Sequence, residues 1–150
     1  MRIVIAETEF SLDDGVVSVR VLQPVAVSDR EFSCEIEILG LGPDHTIRVS
    51  GADSMQALAL ALEGLGAALY TSEAYAAGRL SRSGDRHLGI PISSSLADLV
   101  PPPYQRFRAV VASGGSELDT SVAANTADDA RAKLEAHFGV GSVISLSSYD

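Results

Sequence analysis

Arg79, Arg82 and Arg86 fall within eight residues, interleaved with Ser81, Ser83 and Gly84. A guanidinium offers a planar fork of donors that matches phosphate or carboxylate, and serine hydroxyls and backbone N–H groups can add to it. This run is therefore the candidate anion- or partner-binding element. The plainer alternative is a loop pinned to acids of the same chain. A second group is acidic: Glu31, Glu35 and Glu37 alternate with Phe32, Cys34, Ile36 and Ile38. Paired carboxylates do acid–base work when burial drives their proton affinities apart. Strict alternation instead puts these three on the wet face of a strand, where they would form an acidic docking face. Arg20 and Arg48, on neighbouring strands, are their expected cross-strand partners.

The remaining reactive types carry little. Cys34 lies in the apolar register and should face the core as a structural thiol. His45, His87 and His137 lack a second ligand at metal spacing, so no metal and no cofactor is expected. No phosphate-binding glycine loop, dinucleotide fingerprint or nucleophile elbow occurs, and no catalytic residue is expected.

Charge narrows the partners. The 150 residues carry 20 acids against 11 Lys and Arg, a net charge of −9. Residues 1–78 hold −8, residues 79–110 hold +3 and residues 111–150 hold −4. Nucleic-acid binding draws on clustered cations, so none is expected here. The expected partner is another protein, of basic character. Apolar residues make up 46% and aromatics 5%, without tryptophan, so the core must be aliphatic. A lone cysteine forms no internal disulfide and favours a reducing compartment. The apolar run Ile3–Ala6 is too short for a signal-peptide core, and 55–69 contains Gln56 and Glu63. No membrane span and a cytoplasmic location are therefore expected.

Periodicity supplies the elements that position these groups. Residues 2–12 read as a strand, and Asp13-Asp14-Gly15 as a hairpin turn. Val17, Val19 and Val21 mark the return strand, which Pro24 loosens. The strand of Glu31–Ile38 follows, then a turn at 40–44, then a strand through Ile47 and Val49. Short connections between them imply an antiparallel meander. Asp53 and Gln56 form a capping box, and Met55, Leu58, Leu62, Leu65 and Leu69 recur at helical spacing. The helix is expected to lie deeply buried on the sheet and to run towards Ala77, with Gly78 ending it. Pro101-Pro102-Pro103 marks a boundary. Beyond it, Phe107–Val111, the turn at Ser113–Ser116, Leu118–Ala124, a helix capped by Thr126 and a strand from Val143 make a ββαβ unit. The expected class is α+β, with an N-terminal module over 1–100 and a C-terminal module over 104–150.

The stretch Ser54 to Leu80 resembles an uncharacterised bacterial domain family. The shared features are the Gln56-Ala57-Leu58 helix, the Tyr70-Thr71-Ser72 step, the Gly78-Arg79-Leu80 step and Gly89-Ile90-Pro91. The resemblance extends over roughly residues 1–92 and leaves the C-terminal module outside. An aromatic usually follows Gly-Arg-Leu in that pattern; Ser81-Arg82-Ser83 stands here instead. The resemblance implies a folded domain and no activity.

Three functional readings follow. The first is a non-catalytic interaction protein, such as an immunity or inhibitor protein with an acidic docking surface. The second is a module binding a small anion or acidic ligand through Arg79, Arg82 and Arg86. The third is a small enzyme of unspecified type. An exposed apolar flank on the long helix would add a homodimer.

Overall fold

The computed structural model describes residues 2–149. The chain forms two compact units. The first runs to Gly84 and resumes as Leu88–Val100; the second takes Asp85–His87 and the chain from Pro101 on.

In the first unit, β1 (Val4–Leu12) and β2 (Gly15–Leu22) pair antiparallel with Leu12 opposite Gly15. The two-residue turn needs left-handed backbone, and Asp13 supplies it at φ 50°; aspartate tolerates that region better than most side chains. Val17, Val19 and Val21 turn inward and are buried. Pro24 does not end the sheet. The chain resumes as β3 (Val25–Ser28), four exposed residues paired to β4 (Glu31–Leu39). Exposed on both faces, β3 has no alternating pattern to announce it. β5 (His45–Gly51) pairs on the far side of β4, and β6 (Leu80–Ser81) joins β1 at Ser11 and Leu12. The meander β1-β2-β4-β5 is thus antiparallel throughout, with two short strands added.

The helix α1 (Ser54–Tyr70) packs across β4 and β5. Asp53 caps it by accepting from the Gln56 N–H at 2.8 Å, and Gln56 Oε1 accepts from the Ala52 N–H at 2.6 Å. The buried stripe differs from the leucine stripe expected. It runs Ala57, Ala61, Leu65, Leu69, with Leu58 and Leu62 half-buried, and Met55 is 80% exposed. Small residues let the helix come close: a Cβ on Gly51 would sit 2.9 Å from the Ala57 Cα. The helix also stops sooner than expected. Thr71 and Ser72 hydroxyls donate to the Ala67 and Leu69 carbonyls at 2.6 and 2.7 Å, closing α1. Ser72 then caps the short α2 (Glu73–Ala76) by accepting from the Tyr75 N–H. Hydroxyls that satisfy one helix end and start another are a local stop signal that apolar spacing does not report.

Segment 88–92 closes the other side of α1. The buried Leu88 donates its N–H to Tyr70 Oη at 2.8 Å. At Gly66 a Cβ would run into the Pro91 carbonyl oxygen.

In the second unit, β7 (Gln105–Ser113) is central, with β8 (Ser116–Ala124) and β9 (Val143–Ser148) on either side. The helix α3 (Ala127–Phe138) is capped by Thr126, which accepts from the Asp129 N–H at 3.1 Å. Ala130 and Leu134 pack on Phe107, Ala109 and Val111. The order is the ββαβ expected, and the fold is α+β.

Gly66→Ala should destabilise the first unit by about 1–3 kcal/mol, the usual cost of overpacking. Gly64→Ala meets only a side-chain methyl, Ile47 Cγ2 at 3.3 Å, and should cost far less. Urea unfolding of the two variants beside the wild type measures the difference.

Candidate functional site

Because α1 lies against Cys34, Ile36 and Ile38, the alternate residues of the first sheet turn to the uncovered face. Register sets the neighbours there. Glu7 lies opposite Arg20, Arg20 opposite Glu37, and Glu35 opposite Arg48. Arg2 reaches over the middle of this array, with Nη2 2.6 Å from Glu35 and Nη1 3.3 Å from Glu37. Arg48 Nε stands 3.8 Å from Glu35 and donates to Ser33 Oγ at 3.0 Å. Arg20 Nε is 3.9 Å from Glu7. Each of these pairs is at least partly in water, where ion pairs contribute about 0–1 kcal/mol and exchange readily.

The three glutamates of the expected acidic face thus divide. Glu35 and Glu37 are half-buried and matched by arginines. Glu31 stands apart, exposed, accepting from Ser50 Oγ at 2.8 Å. Between them Ser33 is buried under Arg48. A cleft of about 330 Å³ opens among Arg2, Ile3, Leu22, Val25, Glu35 and Arg48. A smaller hollow of about 240 Å³ lies over Glu7, Glu9, Ser18 and Arg20. Neither lining contains a histidine, cysteine or lysine. Both mix charges of opposite sign, which suits recognition of a polar surface.

The arginine run is spread over separate tasks. Arg79 Nη1 is 3.0 Å from Asp13 Oδ2. Arg82 Nε donates to the Leu88 carbonyl at 2.7 Å, and its guanidinium lies 4.9 Å from the centroid of the Phe10 ring. These two arginines staple the first unit. Arg86 belongs to the second unit, where its N–H donates to Asn125 Oδ1 at 3.3 Å.

That contact is part of a polar node that sequence reading missed. Asp85 Oδ1 accepts from Asn125 Nδ2 at 2.6 Å and from the His87 N–H at 2.8 Å, and Oδ2 accepts from the Tyr104 N–H at 3.0 Å. Asn125 Nδ2 also donates to the Pro102 carbonyl at 2.7 Å. Burial pushes the Asp85 carboxyl upward, but the hydrogen bonds from Asn125, His87 and Tyr104 outweigh it and hold the group below its ordinary value. Asn125 is buried and every polar atom of its amide is engaged. The node fixes 85–87 and 102–104 to the second unit.

Cys34 is fully buried, its Sγ 3.5 Å from the Leu22 carbonyl, and burial followed by the nearby Glu35 charge pushes the thiol up. Among the described residues no group of three or more His, Cys, Asp or Glu is arranged to hold a metal ion. No described helix is long and apolar enough to cross a membrane.

The family described as Domain of unknown function (DUF6968) matches residues 6–92. The chain belongs to that family. No curated protein and no solved structure matches it. The DUF6968 match takes in β2, β4, β5 and α1, and with them Arg20, Glu35, Glu37 and Arg48. It begins after Arg2, so the residue that bridges Glu35 and Glu37 stands outside the DUF6968 segment. It includes 85–87, although those residues fold with the second unit.

Glu7 was accessible to sequence reading, since the two-residue turn sets it opposite Arg20. Arg2 was not, because its partners come from register two strands away. The Asp85 node should show a pH signature. A carboxylate held low when folded adds stability above the ordinary carboxylate range, and that stability is lost as pH falls through the lowered folded value. Asp85→Asn should cost about 1–3 kcal/mol near neutral pH. The gap to wild type should close as the pH is taken down through that range, as read by urea unfolding.

Proposed function

We propose that this chain is a non-catalytic bacterial protein-interaction domain, an immunity or inhibitor protein of the cytoplasm, whose uncovered sheet face docks a basic protein. The observation that carries this is the array of solvent-accessible ion pairs on that face: Arg2 over Glu35 and Glu37, Arg48 beside Glu35, and Arg20 beside Glu7. Pairs this weak give up their internal partners at little cost when a better-placed cation arrives. The mixed cleft beside them, with Ile3, Leu22 and Val25 in its wall, supplies apolar area at the centre of the patch. The first unit carries thirteen acids against six bases, a net −7, so it draws a basic partner from a distance.

The small-anion reading finds less support, because Arg79 and Arg82 already serve Asp13 and the Leu88 carbonyl. A homodimer through α1 also finds less: the exposed Met55 and Leu60 are five residues apart, about 140° around the helix, and share no flank.

Capture from bacterial lysate tests the proposal. The wild-type chain should retain a basic protein at low salt and release it as the Debye length shortens to about 3–8 Å. The double variant Glu35→Lys with Glu37→Lys should retain none. A wild type that captures nothing, or a double variant that captures as well as wild type, overturns the reading.

A further inference from the structure

The outer edge of β1 is open. β6 pairs with it only at Ser11 and Leu12, which leaves 4–10 without a strand on that side among the described residues. An unpaired edge is ordinarily short, bulged, or studded with lysine or proline. This one is seven residues long and carries neither lysine nor proline; its register with β2 shifts once, between Val4 and Ala6, and is regular from Ala6 to Phe10. Its first part is exposed and apolar: Val4 and Ile5 are 44% and 48% accessible, following Ile3 at 43%. The other edges of this sheet differ: β3 has only four residues, and the exposed residues of β5 are the polar His45, Thr46, Arg48 and Ser50.

The charges on β1 say what can pair there. Glu7 and Glu9 point to the uncovered face, over the hollow they share with Ser18 and Arg20. Glu7 is 3.9 Å from Arg20, and Glu9 makes no hydrogen bond or ion pair among the described residues. A second copy pairing antiparallel about Glu7 would set that carboxylate directly against itself, which is destabilising. A strand carrying Lys or Arg at alternate positions would instead meet both acids, and apolar residues at its end would cover Val4 and Ile5.

We infer that β1 is a strand-addition site: an extended segment of the partner, with cations at alternate positions and β-branched apolar residues between, pairs along Val4–Phe10. The inference rests on the proposed docking role and names the element that carries it. The cations lie towards Glu7 and Glu9. The backbone N–H and C=O groups of the edge take up the hydrogen bonds they now make with water.

The probe is a nine-residue peptide alternating lysine with valine and threonine, with a glutamate-for-lysine peptide as control. Added to the full chain, the lysine peptide should slow hydrogen exchange of alternate amides in 4–10 at least about tenfold. Glu7→Lys with Glu9→Lys should weaken its binding about tenfold or more. Three results overturn the inference. The first is binding that leaves those amides unprotected, with sensitivity to Glu35→Lys and Glu37→Lys alone; the docking face would then survive and the edge would fall. The second is protection of the same amides with rising protein concentration and no peptide, which assigns the edge to a second copy. The third is no binding of the lysine peptide at millimolar concentration, which removes the edge whether or not lysate capture succeeds.

Discussion

How closely α1 can approach the sheet governs what the first unit presents to solvent. In the first half of the helix Ala57 and Ala61, rather than Leu58 and Leu62, are the fully buried residues, and Gly51 has no Cβ where one would sit 2.9 Å from the Ala57 Cα. Gly66 does the same on the other side, where the Pro91 carbonyl comes in. With contact this close, one helix and one short segment enclose a core built on Cys34, Ile36, Ile38 and Leu65. Larger residues at these positions would lift the helix, and the buried aliphatics would lose contacts whose worth depends on close packing. All the cover lies on one face. The other is left to water, and its alternate register carries mostly polar residues, with Leu22 and Val25 in the cleft wall.

That face then has to manage like charges in close array. Glu35 and Glu37 come from one strand and point the same way, so cations must come from elsewhere. Arg20 and Arg48 arrive by register from β2 and β5, and Arg2 by a reach from the chain start. The result is charge-balanced locally while the unit stays acidic overall. Local balance keeps the fold from paying for repulsion; global imbalance biases encounters over distances of about a Debye length. These are different length scales, and the same residues can serve both.

Much of this was legible from period and turns alone. The two-residue turn at Asp13-Asp14 predicts the β1–β2 register, and the alternation from Glu31 to Ile38 predicts which side of β4 is wet. The capped helix at Thr126 and the ββαβ order were equally plain. What stayed hidden has a common cause. β3 lacks a buried side, so it lacks a pattern. The turn of α1 into α2 is decided by two hydroxyls rather than by apolar spacing. The arginine run looked like one site because its members are neighbours in sequence, yet Arg79 and Arg82 bind their own unit and Arg86 folds with the other. The Asp85–Asn125 pair spans forty residues of sequence, and neither residue is distinctive where it stands.

The open edge and the open face bear on each other. A strand edge offers the same hydrogen-bonding groups to every comer, so it discriminates only through the side chains beside it. Here those are Glu7 and Glu9, carried on the wet face because Thr8 and Phe10 turn the other way. Acids in that position oppose pairing with another copy of this acidic strand and lower the cost of pairing with a basic one. An apolar residue at 7 or 9 would have made the edge promiscuous, and a lysine would have inverted its choice. The one-sided cover set by α1 exposes that face, and the acids on it determine which strand the edge will accept.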